Sequence, residues 1–349
     1  MAHSLERDLA HILEKTGDVW EGLRGESLFI TGGTGFVGTW LVESFVWAND
    51  RLNLGARAVL LTRNPELFQA KAPHAAQHPS VQYLLGRGDD FEFPEGKFPF
   101  VIHAATEKSF APTPDEPTGT FEPDLRATRR VLDFARTHGT KRLLFTSSGA
   151  VYGKQPPELT HIPEEYAGAP STVDANSAYA QAKRASEFLC CMYARQFGFT
   201  AVIARLFAFA GPYLPLNINF AIGNFIRDVL AGGPVRIGGD GTPYRSYLYA
   251  ADLAIWLWTL LMRGESARPY NAGSADAVTI AQLAKLVVEN TAPGTPIEIA
   301  QERVPGAPPS RYVPSVNRAR EELELEPTIP LEEAIRRMYA WNLQSGAGR

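Results

Sequence analysis

The sequence is poor in cysteine, and its two cysteines are neighbours. Cys190 and Cys191 stand side by side among 349 residues and cannot form an ordinary disulfide with each other. A disulfide framework would need spaced pairs, and a metal site would need more ligands. The cysteine usage therefore predicts a reducing, cytoplasmic setting without a structural metal.

The sequence also lacks an excess of positive charge and a long apolar run. Lysine and arginine number 34 against 38 aspartates and glutamates, a formal net charge of −4. This balance offers no basic footprint for nucleic acid, and no apolar run is long enough to span a bilayer. Residues 1–25 mix charges with regularly spaced leucines, which predicts an amphipathic helical extension and not a signal peptide. We therefore expect neither a nucleic-acid nor a membrane partner.

Short runs of apolar residues alternate with helix-like stretches along the first 210 residues. The runs are SLFIT (27–31), AVLLT (58–62), VQYLL (81–85), FVIHA (100–104), RLLFTS (142–147) and TAVIARLF (200–207). Most are apolar throughout, as in strands that are covered on both faces of a parallel sheet. The alternation predicts an α/β fold with a doubly wound parallel sheet of the Rossmann type.

A glycine-rich turn follows the first of these runs and opens a helix-like stretch. Glycines in that place permit a tight turn and let the backbone approach a pyrophosphate at the helix N-terminus. The spacing is G-x-x-G-x-x-G, so the strand-turn-helix context carries the prediction of a dinucleotide site. The predicted contacts are Gly32, Thr34, Gly35, Phe36, Val37 and Gly38.

The end of the second run bears on which dinucleotide binds. Thr62 occupies the place where NAD-preferring sites carry an acidic residue, and Arg63, which follows it, suits a 2′-phosphate. This favours NADP and leaves NAD open. After the third run, Asp89 and Asp90 are candidates for contact with the adenine, and a plain turn aspartate is the alternative for Asp89.

The composition changes beyond about Gly211, where glycine, proline and asparagine become frequent. We therefore predict a dinucleotide-binding domain over 26–210, to which 240–260 returns. A smaller C-terminal α/β lobe that binds the substrate is predicted over 211–239 and 261–345.

Tyr179 and Lys183 stand four residues apart in SAYAQAK, a spacing that places two side chains on one helix face. An ammonium group close to a phenol favours the phenolate, so we expect a lowered pKa for Tyr179. A tyrosine of this kind can serve as a general base.

Together with other motifs, this pair makes the chain resemble the extended short-chain dehydrogenases/reductases, and within them the nucleotide-sugar epimerases and dehydratases. The motifs are TGGTGFVG, HAAT (103–106), TSSGAVYG (146–153), RLFAFAGP (205–212), GDGTPYRSYLYAADLA (239–254) and YNAGS (270–274). The resemblance implies that Ser148, Tyr179 and Lys183 are catalytic and that Lys183 also holds the nicotinamide ribose. It further places Ala104, Ala105 and Thr106 beside the cofactor.

The same resemblance implies oxidation of a sugar at C4, with a nucleoside-diphosphate sugar as substrate. Arg245 matches an arginine that family members use against the diphosphate. The expected substrate contacts are Glu107, Lys108, Ser109, Gly149, Ala150, Asn219, Arg245 and Arg311.

Gly149 and Ala150 bear on which reaction follows the oxidation. The 4,6-dehydratases carry Asp-Glu, or at least a glutamate, directly after the catalytic serine or threonine, and the related decarboxylases tend to carry a glutamate there. With Gly149 and Ala150 in these places, a dehydratase would need Glu107 or Lys108 to supply the missing function from another loop. The two small residues favour 4-epimerisation, for which we expect them to leave room for the sugar to turn. An NADPH-dependent 4-keto-sugar reductase is the second interpretation and a 4,6-dehydratase the third. A non-catalytic dinucleotide-binding protein is disfavoured because Tyr179 and Lys183 are both present. The resemblance also implies a homodimer built from helices near 124–138 and 178–196.

Overall fold

The computed structural model of the chain describes residues 5–106, 119–218 and 220–345. Four of the expected substrate contacts lie outside these residues. They are Glu107, Lys108, Ser109 and Asn219.

Helices and strands alternate through most of the described chain. The helices are α1 (Glu6–Thr16), α2 (Phe36–Arg51), α3 (Pro65–Lys71), α4 (Pro73–Ala76), α5 (Phe121–Thr137), α6 (Ala178–Phe197), α7 (Ala221–Leu230), α8 (Ala250–Arg263), α9 (Ile280–Thr291), α10 (Asn317–Leu323) and α11 (Leu331–Gln344). Short 3₁₀ turns cover Gly17–Leu23, Gly149–Tyr152 and Ala175–Ser177.

The strands are β1 (Ser27–Thr31), β2 (Arg57–Thr62), β3 (Val81–Leu85), β4 (Phe100–His103), β5 (Arg142–Ser148), β6 (Thr200–Leu206), β7 (Phe209–Ala210), β8 (Val235–Ile237), β9 (Tyr244–Arg245), β10 (Leu248–Tyr249), β11 (Pro269–Ala272), β12 (Val278–Thr279), β13 (Ile297–Ile299) and β14 (Arg311–Tyr312).

Seven parallel strands form the main sheet in the order β11-β6-β5-β4-β1-β2-β3. The six apolar runs of the sequence correspond to β1–β6, so the predicted Rossmann-type fold is confirmed. The order reverses between β1 and β4, and their carboxyl ends lie at the edge where such sheets bind ligands.

Helices cover both faces of this sheet. On one face, Phe29 of β1 packs against Phe134 of α5, with ring centroids 4.6 Å apart. On the other face, Trp20 meets Trp258 of α8 at 4.8 Å. Residues 6–23 join this second layer because their apolar side chains pack on α2 and α8 and are buried there.

Smaller sheets lie in the C-terminal part of the chain: β9 pairs with β12 and β14, and β8 pairs with β13. The range 261–345, assigned from sequence to the smaller lobe, also contributes β11 to the main sheet. The reason is that Pro269–Ala272 pairs in parallel with β6 and extends the sheet by one strand.

Candidate active site

The glycine loop between β1 and α2 is packed directly on backbone. Gly32 has φ +73°, and a Cβ there would lie 2.5 Å from the backbone of Ala104 and Ala105. A Cβ on Gly38 would lie 2.2 Å from the carbonyl oxygen of Gly32. Helix α2 starts after Gly35 with no side-chain cap, so backbone N–H groups face the loop. A cradle of this kind fits the pyrophosphate of a dinucleotide.

Lys71, which the sequence analysis did not identify, reaches this loop from the end of α3. Its Nζ donates to the carbonyl oxygens of Thr34 at 3.1 Å and Gly35 at 3.3 Å. These bonds place a positive charge beside the loop. The only signal in the sequence would have been a lysine at the end of the helix that follows β2.

The residues expected at the far end of the cofactor have different surroundings. Arg63 is exposed just beyond β2. Asp89 forms ion pairs with Arg87 at 3.2 Å and Arg126 at 3.4 Å. Asp90 accepts the backbone N–H of Arg87. The Asp89 carboxylate is thus held within its own turn and by α5.

Ser148 ends β5 and begins the 3₁₀ turn Gly149–Tyr152. Its Oγ accepts the backbone N–H of Ala150 at 3.2 Å, which caps the turn and fixes the side chain. Ser148 is buried, and Tyr179 lies within hydrogen-bonding reach of its hydroxyl. The sheet edge and α6 therefore bring together two of the three predicted catalytic residues.

Lys183 completes the group from the next turn of α6. It is 4% exposed, and its Nζ donates to the carbonyl oxygen of Thr146 at 3.1 Å. The same Nζ lies 5.8 Å from the centroid of the Tyr179 ring. Tyr179 and Lys183 share a helix face, as their spacing predicted, and with Ser148 they converge at the carboxyl end of β5.

The expected lowering of the Tyr179 pKa is not found in this structure. The pKa of Tyr179 is raised above its ordinary value, mainly by burial, although the hydrogen bond with Ser148 lowers it. Burial also lowers the pKa of Lys183. Helix spacing alone predicted the proximity of the pair but not the cost of removing both groups from water.

Asp124 is a buried carboxylate beside this pair that the sequence analysis missed. It stands in the first turn of α5, and its Oδ2 accepts the hydroxyl of Thr106 at 2.7 Å. Its negative charge raises the pKa of both Tyr179 and Lys183. Asp124 thus stabilises the charged lysine and opposes the phenolate.

His103 has a structural place behind the site. Its ring nitrogens pair with Thr31 at 2.7 Å and Thr128 at 3.1 Å, and Thr128 contacts Ser186 of α6 at 2.9 Å. Burial, with the charge of Lys183, lowers the pKa of His103 to about 3. The histidine is therefore neutral and ties β1 to the two helices behind the site.

Gly149 does not provide the expected room for the sugar to turn. It is buried, and a Cβ there would lie 2.6 Å from the ring of Phe207 and 2.8 Å from the hydroxyl of Tyr312. The space left by the missing side chain is taken by these two aromatic residues. Ala150 next to it is half-buried.

The two predicted arginines stand on neighbouring strands but on opposite faces. In the parallel pair β9–β14, Arg245 is opposite Tyr312 and Arg311 is opposite Tyr244. Arg245 lies 6.0 Å from the Tyr312 ring centroid, whereas Arg311 stacks 4.1 Å from that of Tyr244. The structure therefore brings Arg245 to the side of Ser148, the predicted catalytic serine, and places Arg311 on the other side.

A cavity of about 330 Å³ opens between α7 and the glycine-rich turn after β8. Its lining includes Asn224, Phe225, Arg236, Gly239 and Ile280. The combination of an apolar ring, an amide and a guanidinium can hold a flat polar group. The cavity is lined by α7, by the turn after β8 and by the start of α9.

The described residues form neither a membrane-spanning helix nor a cluster of metal ligands. Within 5–106, 119–218 and 220–345, no helix is long and apolar enough to cross a membrane. Over the same ranges, no three or more His, Cys, Asp or Glu side chains come together as a potential metal site.

Comparison with known proteins identifies the family. Residues 28–273 match the family model described as the NAD dependent epimerase/dehydratase family. UDP-glucuronic acid decarboxylase 1 of Arabidopsis thaliana is 29% identical over 335 residues, which cover 93% of this chain and 72% of the plant protein. The decarboxylase 1 of Xenopus tropicalis is 29% identical over 88% of this chain and 70% of its own.

Solved structures agree on the fold. UDP-glucose 4-epimerase from Thermotoga maritima superposes with a TM-score of 0.75 at 20% identity, over 91% of this chain and 99% of its own. A double mutant of a dTDP-glucose 4,6-dehydratase from Streptomyces venezuelae superposes with a TM-score of 0.75 at 21% identity, over 92% of this chain and 98% of its own. With its family match, its sheet and its convergent Ser-Tyr-Lys side chains, the chain belongs to the NAD-dependent epimerase/dehydratase family of extended short-chain dehydrogenases/reductases, whose members are nucleotide-sugar enzymes.

Proposed function

We propose that the chain is a nucleotide-sugar 4-epimerase. The observation that carries this proposal is the convergence of Ser148, Tyr179 and Lys183 in a buried site whose next two residues, Gly149 and Ala150, bear no carboxylate. Oxidation at C4 needs the first three residues. Dehydration needs a further acid and base, and the two small residues supply neither.

The residues of the cradle fit an NAD(P) cofactor. Gly32, Gly35 and Gly38 would admit its pyrophosphate, and Lys183 would contact its nicotinamide ribose. A bound dinucleotide would supply the hydride acceptor and donor for the sugar C4. We retain Arg63 as the residue that favours NADP, because a guanidinium at the end of β2 suits a 2′-phosphate.

The side chains of the chain handle the proton. Tyr179 takes it from the O4 hydroxyl and gives it back when C4 is reduced on the other face. Ser148 donates to O4 and holds the sugar oxygen in place. Since burial raises the pKa of Tyr179, its basic form grows as the pH rises, and we expect turnover to increase on the alkaline side of neutrality.

The substrate lobe would hold the nucleoside diphosphate. Arg245 lies on the side of Ser148 and can contact diphosphate oxygens through two N–H groups. The cavity beside α7, with Phe225 and Arg236 in its lining, can take the base.

Decarboxylation is the second candidate, because the curated relatives named above are UDP-glucuronic acid decarboxylases. A keto group at C4 is β to a C6 carboxylate, so the same first step would prepare a uronic acid to lose CO₂. Gly149 and Ala150 stand where those enzymes tend to carry a glutamate, and this departure ranks the candidate below epimerisation.

The test is to incubate the purified protein with a panel of nucleotide sugars and uronic acids, under mass and NMR readout. A product of unchanged mass with inverted C4 supports the epimerase. Loss of CO₂ or of water would replace it with a decarboxylase or a dehydratase. Turnover that consumes added NADPH would replace it with a reductase.

Two variants of α6 test whether the measured turnover depends on Tyr179. Tyr179→Phe should lower turnover at least about hundredfold while dinucleotide binding stays unchanged. Tyr193→Phe, on the same helix but hydrogen-bonded to Asp133 at 3.1 Å, is the matched control. Full activity of Tyr179→Phe would refute the mechanism.

We further propose a cytoplasmic homodimer formed through α5 and α6. Phe188 and Met192, one turn apart on α6, are 66% and 46% exposed and give this helix an apolar outer face. Free thiols at Cys190 and Cys191 support a reducing compartment. Light scattering should give twice the monomer mass, and Phe188→Glu should return the monomer.

A further inference from the structure

Glu187 is a buried carboxylate of α6 that the proposed reaction does not use. It stands four residues after Lys183 and eight after Tyr179, so the three side chains lie along one face of the helix. Its Oε1 accepts the hydroxyl of Ser147 at 2.5 Å, and Ser147 directly precedes Ser148. The helix face that carries the Tyr179–Lys183 pair is therefore also bonded to the end of β5, one turn further along.

Arg205 of β6 binds the same carboxylate through two parallel hydrogen bonds. Its Nε donates to Oε1 of Glu187 at 3.0 Å, and its Nη2 donates to Oε2 at 2.7 Å. Arg205 is opposite Ser147 in the parallel pair β5–β6, so both side chains leave the same face of the sheet. One carboxylate of α6 thus joins two neighbouring strands.

Other contacts hold Arg205 in place. Its guanidinium lies 4.7 Å from the ring centroid of Tyr152, and its Nη1 donates to the carbonyl oxygen of Glu164 at 3.4 Å. The Tyr152 hydroxyl donates in turn to Asn271 of β11 at 2.7 Å. Because the arginine is held by the turn after Ser148 and by the segment before α6, it offers the helix one position on the sheet.

A buried ion pair is a poor choice if stability is all that it supplies. The side chains of Arg205 and Glu187 are 14% and 10% exposed, so both charges have lost most of their water. Apolar residues of similar volume often stabilise a core equally well or better. A bidentate pair adds a defined direction and distance between its two elements. This matters here because the preceding turn of α6 carries Lys183, whose Nζ donates to the Thr146 carbonyl oxygen at 3.1 Å.

We propose that Glu187 and Arg205 are positioning residues whose bidentate pair sets where α6 lies along the ends of β5 and β6. The ion pair thereby places Tyr179 and Lys183 beside Ser148. The inference rests on the Ser-Tyr-Lys mechanism of the proposed function and is the same for an epimerase, a reductase or a decarboxylase.

The rival explanation is a direct effect of the Glu187 charge on Lys183. Burial lowers the pKa of Lys183, and the negative charge of Glu187 opposes that shift. Substitutions that keep both charges and change only the geometry separate the two explanations.

Glu187→Asp and Arg205→Lys are such substitutions. Glu187→Asp shortens the side chain by one methylene, and a lysine cannot form the two parallel hydrogen bonds of Arg205. Either change should lower kcat about tenfold or more, with KM for the nucleotide sugar within about twofold, because a displaced catalytic group slows the reaction step. A direct charge effect predicts a kcat close to that of the wild type in both variants, and this result would overturn the inference.

Arg337→Lys is the matched control. Arg337 of α11 forms a similarly buried pair with Asp8 of α1, with side chains 16% and 7% exposed, and it also donates to Glu333 at 2.8 Å. These contacts lie outside the residues assigned to the site. Arg337→Lys should lower the melting temperature as Arg205→Lys does and leave kcat unchanged. An equal loss of kcat in Arg337→Lys would show that any weakened ion pair slows turnover, against the inference.

Replacing both charges with methionine separates position from stability. Glu187→Met combined with Arg205→Met fills a similar volume without an ion pair, so the melting temperature should be close to that of the wild type or higher. The kcat should stay about tenfold low, because flexible methionine side chains define no direction between helix and strand. If kcat were normal in this folded double variant, the ion pair would be structural only and the inference would be wrong.

Dinucleotide binding gives a readout that needs no nucleotide sugar. The proposed function assigns Lys183 to the nicotinamide ribose, so Glu187→Asp should weaken NAD(P) binding about tenfold by moving Lys183. In a Lys183→Ala background, Glu187→Asp should add no further loss. Additive losses would show that Glu187 does not act through Lys183, and the inference would fail. Wild-type protein that binds dinucleotide but turns over no nucleotide sugar would instead overturn the proposed function, and this cycle would still decide the inference.

Discussion

Gly38, in the loop after β1, and Gly149, next to Ser148, have different obstacles to a side chain. A Cβ on Gly38 would meet backbone, the Gly32 carbonyl oxygen at 2.2 Å. A Cβ on Gly149 would meet the ends of side chains, those of Phe207 and Tyr312. Backbone cannot be replaced, whereas side chains can. The glycine loop is therefore built from local chain geometry, and the surroundings of Gly149 from partners that are distant in sequence.

The largest expected effect is at the backbone-packed glycine. Gly38→Ala should lower the free energy of unfolding by ~1–3 kcal/mol, as overpacking does. The displaced loop should also bind dinucleotide roughly tenfold more weakly or worse. Denaturant unfolding and calorimetric titration measure the two effects. Gly233→Ala is the control, because only one atom lies within 4 Å of its Cβ, at 3.9 Å.

No single side-chain substitution should rescue Gly38→Ala, since the obstacle is a carbonyl of the loop itself. A variant that binds dinucleotide normally would show that the loop can move, and the distinction between the two glycines would fail.

At Gly149 a compensating substitution should work. Gly149→Ala alone should lower turnover about tenfold by pressing on Phe207, and Phe207→Leu should recover part of that loss. The two changes should couple by ~1 kcal/mol in a double-mutant cycle of kcat/KM. Phe209→Leu is the control, because Phe209 packs against Phe36 and is not among the residues nearest Gly149. It should show no coupling with Gly149→Ala. Additive effects of Gly149→Ala and Phe207→Leu would contradict the geometry.

The same difference explains what the sequence could predict. Strands β1–β6 were predicted to within about two residues, because uniformly apolar runs reflect burial in a parallel sheet. The glycine cradle and the Tyr179–Lys183 pair were found because each depends on neighbours within one turn or one loop.

The remaining features of the site and the sheet depend on contacts between residues that are distant in sequence, and no local pattern predicts such contacts. Tyr312 reaches Gly149 across more than 160 positions of sequence, and Asp124 reaches the same site from another helix. β11 pairs with β6 through four residues, too few to stand out as a strand. The pKa of Tyr179 was expected to fall because spacing reveals the lysine but not the burial.

A third prediction concerns the preference for NADP over NAD that we propose for Arg63. Arg63→Ser should weaken NADP binding about tenfold through loss of one ion pair with the 2′-phosphate, and should leave NAD binding unchanged. Titration of both dinucleotides measures the ratio. Arg57→Ser, an exposed arginine at the opposite end of the same strand, should change neither affinity. If the ratio of the two affinities stays the same in Arg63→Ser, the cofactor preference must come from elsewhere.

The smallest effect is expected at Glu164, beside the edge strand β11 of the main sheet. Its buried carboxylate accepts the backbone N–H of Asn271 in β11 at 2.9 Å, and burial raises its pKa above the ordinary 4.5. A raised folded pKa means that stability is fully present below pH 4.5 and is lost as the pH rises through the folded value. Glu164→Gln keeps the acceptor and removes the charge, so the free energy of unfolding at pH 7 should rise by ~0.5–1 kcal/mol.

The gain in Glu164→Gln should vanish below about pH 4.5, where the wild-type carboxyl is already neutral. The neighbouring Glu165 gives a control of opposite sign, because its own backbone N–H and Arg318 lower its pKa. Its stabilisation is present above pH 4.5 and is lost as the pH falls, so Glu165→Gln should be slightly less stable than wild type at pH 7. Denaturant unfolding at pH 4 and pH 7 distinguishes the effects of Glu164→Gln and Glu165→Gln on the free energy of unfolding. If Glu164→Gln instead lost stability at pH 7, the negative charge of Glu164, and not only its acceptor oxygen, would be what stabilises its contact with β11.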